Sequence, residues 1–197
     1  MTTTARAMSR DTPTTLYAAP VIAMSLLDSY RPLDLAEATD LERTRELMKR
    51  ADDPWAREKP LHLTASAVII HPPTRRVLLR WHPRMQLWLQ VGGHGDPGEH
   101  DPVEVVLREA REETGLPDLR LQGGLLHLVI VPVPAVGDQP AHEHADLRFV
   151  LATDEPGAAR PETAASPLRW LAFADAYDLV GQDVLRETLA RVERISL

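Results

Sequence analysis

The sequence contains no cysteine among its 197 residues. Disulfide bonds, thiolate metal ligands and a cysteine nucleophile are therefore excluded. It also lacks an apolar run of the roughly 20 residues that a membrane-spanning helix needs. The N-terminal segment makes a poor secretory signal, because Pro20 and Asp28 interrupt its apolar residues. We therefore expect a cytoplasmic protein that does not enter a membrane.

The chain has fewer basic than acidic residues: it contains 22 Lys and Arg residues and 29 Asp and Glu residues, which gives a formal net charge of −7. Such a chain offers no basic field to compensate nucleic-acid phosphates, so we do not expect it to bind a nucleic acid duplex. A small anionic substrate can still bind where a metal cation supplies local positive charge. The 44% hydrophobic content is that of a globular protein with one sizeable core.

The chain divides into three parts. Residues 1–25 are rich in Thr, Ala and Ser without a clear period, which predicts a flexible tail. Residues 26–60 predict a helical arm, because Leu35, Leu41 and Leu47 lie at helical spacing among charges. Residues 61–197 form the main domain, whose mixture of elements predicts an α/β fold with a sheet covered by helices. The predicted strands cover residues 61–70, 77–81, 87–91, 125–133, 145–151 and 168–171, and the predicted helices cover residues 102–114 and 183–195.

The most informative segment is a glycine-rich loop that leads into a helix. Four glycines fall within the seven residues 92–98, so the backbone can approach a ligand closely. Asp101 suits the helix N-cap and Pro102 suits the first helical position. Gly115 suits the position after the last helical residue. A loop and a well-delimited helix over residues 102–114 are therefore predicted.

Three carboxylates cluster on this helix. Glu109, Glu112 and Glu113 stand at i, i+3 and i+4, and this spacing makes them neighbours. Their mutual repulsion destabilises a bare helix, whereas a bound divalent cation reverses the sign of the interaction. Oxygen ligands are what Mg²⁺ or Mn²⁺ requires, and Arg108 can orient a carboxylate through charge-assisted hydrogen bonds. A Glu-rich helix face is more often solvated surface, and the preceding loop is what favours a catalytic site.

Together these residues resemble the Nudix box, G-x5-E-x7-R-E-U-x-E-E-x-G-U, in which U is a bulky apolar residue. One departure is that eight residues, not seven, separate Glu99 from Arg108. A strict register would place His94 and His100 at the first two fixed positions, but we interpret the departure as an insertion before the helix. It concerns the role of Glu99 and leaves the helix intact. The matching residues are Gly93, Glu99, Arg108, Glu109, Glu112, Glu113, Gly115 and Leu116.

The resemblance implies a fold and a reaction. The fold is an α/β/α sandwich around a mixed β-sheet, and the reaction is hydrolysis of a nucleoside diphosphate linked to another moiety. Glu112 and Glu113 would bind Mg²⁺, with Mn²⁺ as a substitute, and Glu109 would be a ligand or the base that activates water. Arg108 would orient Glu109, and the carbonyl of Gly92 or Gly93 would complete the coordination. The substrate would be a small-molecule diphosphate of unspecified identity, and a monomer and a homodimer both remain open.

Two other functions on this fold remain open. The first is an isomerase that acts on an isoprenoid diphosphate, and the absence of cysteine counts against the usual version of that chemistry. The second is a sensor that binds a nucleotide without cleaving it, and the intact carboxylate set counts against it. Metal-dependent phosphate release would separate the hydrolase from both.

Further candidate substrate contacts lie outside the box. His142, His144 and Asp146 alternate along a predicted strand and share one face. This face can be solvated or can line a substrate cleft. A His-x-His pair can also bind zinc, but we do not expect a structural zinc site here. Arg80 and Arg84 flank the strand that leads into the box and are candidates for phosphate contact.

Overall fold

The computed structural model describes residues 19–195 of the chain. Two helices, α1 and α2, precede the sheet, and three more accompany eight strands in the main domain of this described part. None of the described helices is long and apolar enough to cross a membrane. In chain order the elements are α1 (Ala19–Ser29), α2 (Leu35–Arg50), β1 (Leu61–His71), β2 (Arg76–His82), β3 (Leu87–Leu89), β4 (Val91–Gly93), α3 (Pro102–Thr114), β5 (Arg120–Leu121), β6 (His127–Val133), β7 (His142–Ala152), β8 (Leu168–Ala172), α4 (Phe173–Leu179) and α5 (Asp183–Ile195), with short 3-10 turns at Pro72–Thr74 and Pro156–Ala158.

The strands form one mixed sheet around a central parallel pair. β1 and β7 run parallel over ten paired positions, from Leu61 opposite Glu143 to Ile70 opposite Ala152. All other strand pairings within the described residues are antiparallel: β2 and β4 with β1, β5 and β6 with β7, and β3 and β8 with β2. A parallel pair requires a long crossover, and the segment that carries α3 provides it. The predicted mixed sheet is confirmed.

The sheet is buried on both faces, and this explains the continuous apolar run of residues 67–70 in β1. Leu63 and Ile69 belong to the core on the face covered by α3, where Val106 is fully buried. Val68 and Ile70 point into the opposite core, which α4 and α5 cover. A strand buried on both faces loses the alternation of a half-exposed strand. The arrangement is the predicted α/β/α sandwich.

A buried polar cluster fastens the two N-terminal helices to the main domain. Glu37 of α2 accepts hydrogen bonds from Tyr30 Oη and from Arg191 Nη1 of α5, the latter at 2.6 Å. Tyr30 Oη also accepts from the Leu128 backbone N–H of β6 at 3.1 Å. Burial alone would raise the pKa of Glu37, but the hydrogen bonds from Arg191, Leu33 and Tyr30 hold it below its ordinary value. Glu37 is therefore charged and paired inside the protein.

The predicted tail boundary at residue 25 is wrong. Helix α1 begins at Ala19, and Ala23 and Leu27 are each only 1% exposed. The Ala- and Ser-containing segment has no strong periodicity of apolar residues. It is buried by tertiary packing, which its composition did not indicate. Residues 1–18, the rest of the predicted tail, lie outside the described part of the chain. In addition, the predicted strand over residues 87–91 divides at Gln90, and β5 and α4 were not predicted.

Candidate active site

Local signals delimit α3. The Asp101 side chain accepts a hydrogen bond from the Val103 N–H at 2.8 Å, and Pro102 occupies the first turn. Gly115 ends the helix in the left-handed region, with φ 65°, and its N–H donates to Arg111. Ala110 is buried against the sheet. The helix thus begins and ends as predicted, and its other side is left for the carboxylates.

The predicted core face of α3 is confirmed in part. Val106 and Ala110 are fully buried, whereas Val103 and Leu107 are half-buried at the edge of the same core. Val105 is also fully buried, although it was not predicted to be. Val105, Val106 and Ala110 all belong to the core that the helix shares with the sheet.

Glu113 is held between the backbone of β4 and an arginine of β2. Its Oε2 accepts from the Gly92 N–H at 3.0 Å, and its Oε1 lies 3.2 Å from Arg80 Nη1. Burial raises the pKa of Glu113 to about 7 in spite of Arg80. Because its negative charge is costly in this environment, a cation placed beside it would be strongly stabilising.

Glu109 lies directly against Gly93. A Cβ atom added at Gly93 would stand 2.7 Å from the Glu109 carboxylate carbon, so the carboxylate would have to move to admit any side chain there. Burial raises the pKa of Glu109, and Arg108 opposes this rise. Glu112 completes the patch on the solvent side, with its side chain 55% exposed. The spacing of the three glutamates therefore places two half-buried carboxylates and an exposed one along one side of α3.

Arg108 connects the box loop to two of these carboxylates. Its Nη2 donates to Glu99 Oε2 at 2.8 Å and to the His94 carbonyl at 2.9 Å. Its Nη1 donates to Glu109 Oε1 at 3.1 Å and to Glu112 Oε2 at 3.0 Å. Hydrogen bonding to Arg108 lowers the pKa of Glu99. The extra residue before the helix thus leaves Glu99 in contact with Arg108, which agrees with an insertion.

A cavity of about 160 Å³ opens beside Glu113. Within the described residues, Arg80 Nε and Gln90 Oε1 are buried without a hydrogen-bond partner, and both residues line this cavity. A larger groove of about 1110 Å³ runs along α2, but it includes none of the box residues. We place the site at the smaller cavity because Glu113, Arg80 and the Gly93 backbone meet there. Its other walls include Thr64, Ser66, His82, Met85, Val131, Val133, His144, Asp146 and Arg148.

The predicted substrate contacts separate into different environments. Asp146 lines the cavity, but its carboxylate accepts from Thr64, Ser66 and Arg148 at 2.8 to 3.0 Å, so it stiffens the wall. Arg80 also lines this cavity. Arg84 instead donates to Gln139 and lines a neighbouring cavity of about 350 Å³.

His142 and His144 meet two further histidines. His62 of β1 lies opposite His144 in the parallel pairing, and His94 follows the last residue of β4. Nε2 of His94 is 3.1 Å from Nε2 of His62, and Nε2 of His142 is 3.1 Å from Nε2 of His144. Burial lowers the pKa of His62, lowers that of His94 to about 3 and lowers that of His144 to about 4. His62 and His94 were not predicted from the sequence, since only tertiary pairing joins them to β7.

A model of the NUDIX domain matches residues 60–192. The chain belongs to the NUDIX family. Membership makes it a pyrophosphohydrolase that acts on a phosphoric anhydride, and the family generally uses a divalent metal. This confirms the family and the enzyme class predicted from the box.

Solved structures share the NUDIX fold. An Ap4A hydrolase binary complex from C. elegans is 19% identical, with a TM-score of 0.55 over 68% of this chain and 96% of that one. The dihydroneopterin triphosphate pyrophosphohydrolase of E. coli is 20% identical, with a TM-score of 0.56 over 70% and 97%. The NUDIX domain of Shewanella oneidensis NrtR, complexed with ADP ribose, is 18% identical, with a TM-score of 0.52 over 78% and 98%. No curated protein sequence matches.

Proposed function

We propose that this NUDIX protein hydrolyses a diphosphate linkage in a nucleoside diphosphate linked to another moiety. In this proposal Glu109, Glu112 and Glu113 bind Mg²⁺, with Mn²⁺ as a substitute. The observation that carries it is the convergence of α3 with the Gly92–Gly93 backbone beside the Arg80 cavity. Carboxylates and a diphosphate repel one another, so their approach requires a cation between them.

The residues present suit a hard divalent cation. Glu109, Glu112 and Glu113 offer carboxylate oxygens, the ligand type that Mg²⁺ prefers. The missing side chain at Gly93 leaves the backbone and the Glu109 carboxylate in direct contact, so a carbonyl oxygen can join the set. A divalent cation bound there neutralises diphosphate charge and makes bound water more acidic.

The surrounding side chains hold the site in shape. Arg108 positions Glu109 and Glu112, and Glu99 in turn holds Arg108 through paired hydrogen bonds of 2.8 to 3.0 Å. Glu109 can bind the cation or accept the proton of the attacking water, and it is placed for either task beside Gly93. Arg80 presents its guanidinium to the cavity, where it can contact a phosphate oxygen.

The cavity sizes support a two-part substrate. The cavity at Glu113, about 160 Å³, is smaller than a typical pocket for a whole ligand, which is roughly 300–1,000 Å³. The neighbouring cavity of about 350 Å³ shares His82, Met85 and Val133 with it and is lined by Arg84. We infer that the first takes the diphosphate and the second takes part of the attached moiety. Ap4A, dihydroneopterin triphosphate and ADP ribose, named for the structural neighbours, all have this two-part chemistry.

A substrate panel in water enriched in a heavy oxygen isotope tests the proposal. Chelator-treated protein is supplied with Mg²⁺ and with nucleotide sugars, dinucleoside polyphosphates and nucleoside triphosphates, and the products are identified by mass spectrometry. We expect Mg²⁺-dependent cleavage in which one product phosphate carries the heavy oxygen. An isomerase would give a product of unchanged mass, and a sensor would bind without turnover; either result would contradict the proposal.

A matched pair of variants ties the activity to the site. Glu112→Gln removes one carboxylate of the patch, and Glu104→Gln makes the same change at an exposed position of the same helix outside the patch. Loss of one electrostatic stabiliser typically lowers turnover by about 10²–10³, so we expect this loss for Glu112→Gln alone.

A further inference from the structure

Four histidines from three parts of the chain meet at the end of the sheet next to the carboxylate site. His62 comes from β1, His142 and His144 come from β7, and His94 comes from the loop after β4. One ring nitrogen from each of His62, His142 and His144 lies within 4.8 Å of the others. Nε2 of His94 is 3.1 Å from Nε2 of His62. His62 and His142 are buried, and His144 is half-buried.

We propose that His62, His94, His142 and His144 form a second metal site that binds a nitrogen-preferring transition-metal ion of the Zn²⁺ type. This site is separate from the carboxylate patch and does not rest on the proposed hydrolysis. The sequence predicts that His142, His144 and Asp146 are not a structural zinc site, and the His-x-His pattern on its own supplies two imidazoles. The structure adds two more.

Backbone hydrogen bonds orient two of the rings for this role. Nδ1 of His62 lies 2.9 Å from the Lys59 carbonyl, and Nδ1 of His142 lies 2.9 Å from the Pro140 carbonyl. A carbonyl accepts only, so each Nδ1 carries the proton and each Nε2 keeps a lone pair. Both lone pairs face the cluster, since each Nε2 lies 3.1 Å from Nε2 of another cluster histidine. Histidine ligands of metals commonly use their second nitrogen in this way.

The distances suit four-coordinate geometry after small side-chain rotations. Zn–N bonds of about 2.0–2.1 Å place the nitrogens of a tetrahedral site roughly 3.4 Å apart. The pairs His62–His94 and His142–His144 are already at 3.1 Å. The ring centroid of His144 lies 4.8 to 4.9 Å from those of His62, His94 and His142, so side-chain rotations can bring His94 to the group that His62, His142 and His144 form.

The donor set selects the kind of ion. Imidazole nitrogen suits zinc, copper, nickel and cobalt, whereas magnesium requires oxygen. Asp146 follows His142 and His144 on the same face of β7, but its carboxylate is already occupied by Thr64, Ser66 and Arg148. An ion at this site would cross-link β1, β7 and the box loop. Since Gly93 precedes His94, it would also fix one wall of the active site.

The test is metal retention under competition. Chelator-stripped protein is desalted, mixed with Zn²⁺ in the presence of excess Mg²⁺ to occupy the carboxylates, passed through gel filtration and analysed for metal. We expect about one zinc ion per chain and a Zn²⁺-dependent rise in Tm. His62→Gln and His144→Gln should lose both effects. Two controls should keep them: His100→Ala, which changes an exposed histidine of the same loop, and Glu112→Gln combined with Glu113→Gln.

The absorption of Co²⁺-loaded wild-type protein gives a readout that needs no variant. A tetrahedral nitrogen site gives intense visible bands, whereas octahedral oxygen coordination gives weak ones. Weak bands, or zinc lost from the wild type during gel filtration, would show that the histidines form a metal-free hydrogen-bonded network. If the Glu112→Gln, Glu113→Gln double variant lost the bound zinc while both histidine variants retained it, the ion would lie at the carboxylates. That result would overturn the proposal. If the histidine variants fail to fold, the Co²⁺ spectrum decides.

Discussion

Replacing Glu113 by Gln should change activity and metal-free stability in opposite directions. Turnover should fall by about 10²–10³, because one charged ligand beside the reacting phosphate is lost. Burial raises the pKa of Glu113 from 4.5 to about 7, and one pKa unit corresponds to about 1.4 kcal/mol. The ionised side chain therefore costs the metal-free folded protein at most about 3 kcal/mol above pH 7. Gln removes that cost and can still accept the Gly92 N–H.

The pH dependence of this effect has a defined sign. A carboxyl group whose pKa is higher in the folded protein stabilises it fully below the unfolded value, 4.5, and this stabilisation is lost as the pH rises to about 7. The advantage of Glu113→Gln should therefore be largest at pH 8 and fall below about 1 kcal/mol at pH 5. Urea unfolding of both proteins in EDTA at the two pH values measures it. A variant less stable than the wild type at pH 8 would refute the reasoning, and Glu104→Gln should show no such pH dependence.

Three other changes probe the site and the fold. Gly93→Ala places a Cβ 2.7 Å from the Glu109 carboxylate, so kcat should fall by about 10² or more; an unchanged kcat would mean that this contact does not constrain the site. Arg191→Met leaves the buried Glu37 without its charged partner and should lower the free energy of unfolding by about 3–5 kcal/mol, whereas Arg194→Met on the exposed side of the same helix should change it by less than about 0.5 kcal/mol. Removing residues 1–18 should leave Tm and activity nearly unchanged, as for termini with no core face, and a large loss of either would show that this segment packs on the domain.

The parts of the site that depend on local signals were predictable. The caps of α3 and the i, i+3, i+4 spacing of its glutamates involve residues within one short segment. Short-range periodicity therefore placed Glu109, Glu112 and Glu113 together before any tertiary contact was known. The contact between Arg108 and Glu99 is also local, since nine positions separate the two residues.

The parts that depend on tertiary pairing were not predictable. The histidine cluster needs the parallel register of β1 and β7, and a single sequence does not state which strands pair. One signal was present: His62, Thr64 and Ser66 alternate along an otherwise apolar strand, just as His142, His144 and Asp146 alternate along β7. If these two strands had been predicted to pair, their polar faces would have placed these residues on the same wall of the cavity.

The burial of α1 and the pairing of Glu37 with Arg191 escaped prediction for a related reason. Glu37 looks like an ordinary solvated residue of an amphipathic helix, and its partner lies 154 positions later in the chain. Only the docking of α2 against α5 explains why this carboxylate is buried.

The central parallel pairing also sets the order in which the two sides of the catalytic cavity can form. β4 and α3 lie within residues 91–114, whereas Thr64 and Asp146, which are hydrogen-bonded across β1 and β7, are 82 positions apart. The entropy cost of closing a loop rises with its length, and long-range strand pairing slows folding. A chain emerging from the ribosome can therefore bring Glu109 and Glu113 against Gly93 and Gly92 while β7 is still being made. The wall of histidines and Asp146 can close over them only when residues 142–152 have been added.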